Sequence, residues 1–119
     1  MIRHAVMFRW NDSVTDRMIA DTSAALDALP AAIAEIVAYR HGRDLGIGPS
    51  NFDYAVTADF ESAEDFAVYR DHPDHQRFIA DHITGRVTER VAVQFDLERP
   101  AGSARADASR TPARRARPG

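Results

Sequence analysis

The chain contains no cysteine, and all 15 of its basic residues are Arg, so lysine is absent as well. Without cysteine there are no disulfides, no thiolate metal ligands and no sulfur nucleophile. Without lysine, Schiff-base catalysis is excluded. No run approaches the roughly 18 apolar residues of a membrane span, and the N-terminal MIRHAVMFRW lacks the long apolar core of a signal peptide. G-x-G-x-x-G, P-loop and G-x-S-x-G signatures are all missing, and Gly46-x-Gly48 is too short a match to signal a nucleotide. His72 and His75 stand three apart, but Pro73 between them breaks a regular helical face, and no H-E-x-x-H follows. The expectation is a cytoplasmic protein with no metal and no cofactor.

What is present is one domain's worth of chain, 119 residues with a hydrophobic share of 45%. Residues 101–119 hold five Arg against Asp107, a net charge of +4, whereas residues 1–100 hold ten Arg against seventeen acids, a net of −7. The composition changes near Pro100, after which no aromatic or large aliphatic residue occurs. The predicted organisation is a folded domain over 1–99 and a disordered Arg-rich tail over 100–119. An acidic domain of this kind is not expected to bind nucleic acid, nor to insert in a membrane.

Ile2, His4, Val6, Phe8 and Trp10 alternate with Arg3, Ala5, Met7 and Arg9, the period of a strand. Ser13 is placed to cap a helix, with Asp16 near its positive end. That helix should bury Val14, Met18, Ala25, Leu26 and Leu29 and end at Pro30. Residues 35–43 read as a second strand, with Val37, Tyr39 and His41 on one face, followed by a Gly46–Asn51 loop. Residues 52–60 alternate most clearly of all. Ser62 caps a short helix carrying Phe66 and Tyr69 on one face. After His72-Pro73, a third helix over 73–84 presents His75, Phe78, Ile79, His82 and Ile83 on one stripe, and Gly85 closes it. Residues 87–97 form the last strand.

The order β-α-β-β-α(α)-β predicts an α+β, ferredoxin-like fold, with one four-stranded antiparallel sheet and its helices on one face. In the last strand Val91/Val93/Phe95/Leu97 compete with Ala92/Gln94/Asp96 for the helix side. Whichever set faces the helices, both sides of the sheet need cover, and the chain has helices for one. A second copy of the chain, a homodimer through the sheet face, is the economical cover.

Five segments carry a family resemblance: I-R-H-A-V-M-F-R-W at the N-terminus, G-R-D at Gly42 to Asp44, the strand F-D-Y-A-V-T-A-D-F, the turn Y-R-D-H-P-D-H, and V-Q-F-D at the end. In this order, over residues 2–97, the chain resembles the stress-responsive A/B-barrel (Dabb) family. The resemblance implies a dimeric α/β barrel made from two ferredoxin-like sheets. Many members have no assigned activity, and some plant members are stress-induced, stable assemblies. One is a plant cyclase that closes a linear polyketide by aldol condensation in a pocket between sheet and helices. Carried over residue by residue, its site implies catalytic roles for His4, Tyr69 and His75 here. Its strand-3 His is replaced by Tyr54, Asp96 aligns with a pocket Asp, and Val6, Phe8, Tyr39 and Phe78 would line the pocket. Two bulky helix-1 aromatics give way to small residues such as Thr22 or Ser23.

Aldol cyclisation needs a base for a proton next to a carbonyl and a donor for the enolate oxygen, roles that suit His75 and Tyr69. A His4–His75 hydrogen bond would fix the tautomer. The competing readings are structural. His75 caps carbonyls at the corner, His4 pairs with a strand neighbour, and Tyr54 and Tyr69 pack with satisfied hydroxyls. His72 caps the helix end or meets solvent, and His82 packs beside Phe78. Function therefore divides between a cofactor-independent cyclase-like enzyme taking a small hydrophobic or aromatic ligand and a non-catalytic stress-responsive dimer. A cofactorless monooxygenase-like member of the same superfamily is a further alternative. A cavity of roughly 300 Å³ or more, lined by His4, Tyr54, Tyr69 and His75, favours the first.

Overall fold

Strand β1 (Ile2–Trp10) lies inside the sheet, between β3 (Tyr54–Phe60) and β4 (Val87–Asp96), and β2 (Ala38–Arg43) forms the outer edge next to β3. This computed structural model describes residues 1–97, so the proposed Arg-rich tail over 100–119 lies outside the described residues. All three strand pairs are antiparallel, which yields the ferredoxin-like order β2-β3-β1-β4. Among the described residues no helix is long and apolar enough to cross a membrane.

The register decides which side chains share a face. His4 stands opposite Ala58 on β3 and Gln94 on β4; Phe8 stands opposite Tyr54 and Arg90. His4, Val6, Phe8, Tyr54, Val56 and Ala58 are all buried on the helix side. The other face carries Met7, Val91, Val93 and Phe95, exposed at 41%, 38%, 56% and 46%. Apolar β4 residues therefore line the open face, while Ala92 and Gln94 look toward the helices. On the open face Arg3 grips its cross-strand partner Asp59 with two hydrogen bonds, 2.7 and 3.0 Å, and Asp59 is buried.

Helix α1 (Asp16–Ala32) buries Ile19, Thr22, Leu26 and Leu29 on the sheet. It begins later and ends later than the sequence pattern indicates. The Asn11 side chain accepts both the amide and the hydroxyl of Ser13, at 2.9 and 2.6 Å, so Ser13 is held in a turn and Thr15 becomes the cap, accepting from Met18 N at 3.1 Å. Pro30 lies inside the last turn rather than ending it. It removes one amide donor, yet Ile33 N still closes on Leu29 O at 2.9 Å. The chain then turns through Ile36 N–Ile33 O, so β2 starts at Ala38 rather than at residue 35.

Ser62 caps α2 (Ala63–Asp71) by accepting from Asp65 N. His72 ends it and caps α3 (Pro73–Phe78) by accepting from Asp74 N at 3.1 Å. Instead of one helix over 73–84, α3 passes into a π-helical turn, Ile79–Ile83, closed by Thr84 N on Ile79 O. Gly85, at φ +79°, reverses the chain toward β4.

Candidate active site

His4 on β1 and His75 on α3 reach the same cavity from opposite layers. It measures about 350 Å³ and is walled by Val6, Phe8, Tyr39 and Phe78, with Tyr69 beside His75 and Arg90 on the β4 side. That volume suits a small organic ligand. The Tyr69 and His75 rings pack with centroids 4.1 Å apart, so two sequence-predicted catalytic residues are direct neighbours.

The His72-Pro73 corner orients His75. Its Nδ1 is 3.1 Å from the Arg70 carbonyl oxygen. A carbonyl only accepts, so Nδ1 carries the proton, and the neutral ring keeps its lone pair on Nε2. Burial lowers the His75 pKa most; the Arg70 carbonyl opposes that, and the charge of Arg90 adds to it. The ring is therefore neutral, and basic at one nitrogen, at neutral pH.

The expected His4–His75 hydrogen bond is not made. His4 is tied instead to its cross-strand neighbour, since Gln94 Nε2 donates to His4 Nδ1 at 2.8 Å. An amide nitrogen only donates, so neutral His4 holds its proton on Nε2. Burial, then the positive charges of Arg90 and His75, push its pKa down to about 4. The two imidazoles are held in opposite tautomers by the two layers.

Tyr69 and Tyr39 meet hydroxyl to hydroxyl at 2.8 Å. Either hydroxyl can donate in this bond, and burial raises the pKa of both phenols, so both keep their protons at neutral pH. When Tyr39 is the donor, the Tyr69 proton is left for an acceptor in the cavity beside His75.

Two predicted pocket residues do not join this wall. Tyr54 is 1% exposed, and its hydroxyl is taken by Ser23 Oγ at 2.6 Å and His41 Nδ1 at 2.7 Å. His41 Nε2 lies 2.7 Å from Asp27 Oδ1 in turn, so Asp27, His41, Tyr54 and Ser23 clamp α1 to the sheet. Asp96 pairs with Ile2 at the far end of β4, exposed and outside the cavity lining, because antiparallel pairing puts Gln94, not Asp96, opposite His4. Nor do Thr22 and Ser23 shape the cavity. Thr22 Oγ1 donates back to Met18 O at 2.9 Å, and Leu26 supplies the α1 wall. His82 stacks on Phe78 at 5.4 Å. The sequence reading missed Gln94 and Arg90; the only signal for them was β4's even-numbered parity set.

A larger hollow of about 520 Å³ lies at the loop after β2, lined by Met7 and by Leu45 and Ile47, which are both 84% exposed. Among the described residues no imidazole lines it, and its one carboxylate, Asp44, is occupied by the Gly46 amide at 2.8 Å and the Asn51 side chain at 3.0 Å.

Comparison with known proteins adds the following. A family described as the stress responsive A/B barrel domain matches residues 2–97. An uncharacterised protein of Streptomyces coelicolor is 30% identical over 83 residues, 67% of this chain and 84% of that one. A crystal structure of a dimeric ferredoxin-like protein of unknown function from Thermobifida fusca is 47% identical, with TM-score 0.76, covering 81% of this chain and 90% of that one. A hydroxynitrile lyase from Passiflora edulis shares the fold at 21% identity, with TM-score 0.71, covering 83% of this chain and 96% of that one.

Proposed function

The chain belongs to the stress responsive A/B barrel family, and from its cavity we propose that it is a cofactor-independent enzyme of the polyketide-cyclase kind. Its substrate is a small hydrophobic or aromatic compound with an enolisable carbonyl. The observation that carries the reading is the His75–Tyr69 pair: a neutral imidazole with Nε2 left basic, packed at 4.1 Å on a phenol at the wall of a 350 Å³ cavity.

In this reaction His75 Nε2 takes the proton from carbon next to the carbonyl, and the Arg70 carbonyl steadies the imidazolium through Nδ1–H. Tyr69 donates to the enolate oxygen, and Tyr39 supports Tyr69 from behind. His4, neutral with its proton on Nε2, is a second donor from the sheet side. The enolate carbon then attacks a second carbonyl of the substrate; its C=O π bond opens, the resulting alkoxide takes the proton back from the His75 imidazolium, and apolar walls favour the folded substrate. A hydroxynitrile lyase built on this fold supports an enzymatic role.

The reading includes a homodimer. The Thermobifida relative is described as dimeric, and the apolar strip of Met7, Val91, Val93 and Phe95 matches a sheet-to-sheet interface.

The test is α-proton exchange of 1-phenylbutane-1,3-dione in deuterium oxide, followed by proton NMR. Wild type should accelerate exchange. His75→Ala should lower the rate by about 10²–10⁴-fold and Tyr69→Phe by about 10²–10³-fold. Wild-type exchange in His75→Ala removes His75 as the base.

A further inference from the structure

One cation on the cavity wall has no counter-charge among the described residues. Of the arginines in the described residues, Arg3, Arg9, Arg17, Arg43, Arg70 and Arg77 each pair with a carboxylate. The Arg90 side chain, although its neighbour Glu89 is engaged by Arg9, has neither ion pair nor hydrogen bond among the described residues. It stands opposite Phe8, on the helix side of β4, and is the one formally charged side chain lining the cavity at neutral pH. The lining holds no Asp or Glu, and the two histidines there are neutral. In a domain that is acidic overall, this is an isolated positive spot beside an apolar wall.

Arg90 is also close enough to act on the chemistry. Its charge lowers the pKa values of His4, His75 and Tyr69. Yet it is exposed, so water solvates it at the rim while the walls behind stay apolar. A guanidinium in that position matches the two oxygens of a carboxylate in a planar, forked contact that neutral groups do not reproduce.

We infer that Arg90 selects a ligand with a carboxylate head and an aromatic or alkyl body, the head held at the rim and the body against Val6, Phe8 and Phe78. This rests on the proposed reading that the cavity takes a small ligand. It adds a substrate class: an aromatic or fatty keto acid rather than its neutral ester or amide. Arg90 would then anchor one end while His75 and Tyr69 act on the other.

The experiment is isothermal titration calorimetry of the full chain with 4-butylbenzoate and with 4-butylbenzamide, a neutral compound of nearly the same shape. Wild type should bind the acid about tenfold more tightly than the amide, a gap that narrows as salt is added. Arg90→Gln should weaken the acid by about tenfold and leave the amide unchanged; Arg90→Lys should keep part of the preference. Thermal melting checks that both variants are folded. Equal affinity for acid and amide in wild type, or a full acid preference in folded Arg90→Gln, overturns the inference while the cavity reading stands. Failure of both probes to bind wild type overturns the inference and the ligand cavity together.

Discussion

Acid should destabilise this protein before its carboxylates titrate, and His4 should be a main cause. In the folded chain its pKa is about 4, against 6.5 for an ordinary His. Between those values the unfolded chain binds a proton that the folded chain refuses, so stability is complete above pH 6.5 and falls as pH drops through this window toward 4. The gap corresponds to about 3 kcal/mol at full weight. Because the ring borders an open cavity, water screens part of it, which leaves about 1–2 kcal/mol. The perturbation is His4→Phe, similar in bulk and without a titrating group. Urea unfolding at fixed protein concentration, in steps from about pH 7.5 to about pH 4.5, measures the slope. Wild type should lose about 1–2 kcal/mol more across the range than the variant. His75, depressed in the same direction, leaves His4→Phe with a smaller residual slope of the same sign. Equal slopes in the two proteins refute the argument, as does a His4 ring that titrates near 6.5 by NMR. Arg90→Gln removes the second cause of the depression and should move the His4 titration upward.

Tyr54→Phe should destabilise the fold by about 1–3 kcal/mol, since it leaves Ser23 Oγ and His41 Nδ1 without their shared partner; chemical denaturation measures it, and a neutral outcome would show the clamp to be replaceable by water. Val93→Asp puts a charge opposite Ala5 in the middle of the apolar open face. On a monomer such an exposed change is worth no more than about 0.5 kcal/mol, so a shift from dimer to monomer in sedimentation velocity, with the melting profile otherwise preserved, would locate the interface there. An unchanged dimer would place it elsewhere.

How far the site could be read in advance depended on the kind of signal each residue gives. Strands β1 and β3 declared themselves because alternation is a local property, whereas His75 and Tyr69 stood out through the family motif that one turn-and-helix segment carries. Boundaries were less legible. Whether Ser13 or Thr15 caps α1 turns on what the Asn11 side chain does, and Pro30 reads as a stop although a helix tolerates it in its last turn. Tyr54 aligned with a pocket position, yet its hydroxyl is spent on Ser23 and His41, residues that come from two other elements.

The sequence by itself determined the element order, the ferredoxin-like class and the need to cover both sheet faces, because periodicity, caps and a proline corner all act within a few residues; His75 and Tyr69 came from the family resemblance, and their contact from the structure. Only the tertiary structure decided which parity of β4 meets the helices. That choice depends on the register between residues some ninety positions apart, Phe8 with Arg90 and His4 with Gln94. From it follow the tautomer of His4, the exclusion of Asp96 from the cavity and an Arg90 charge unpaired among the described residues. His75, the proposed base, was legible along the chain; the partner of His4 and the charge of Arg90 came from the other side of the sheet.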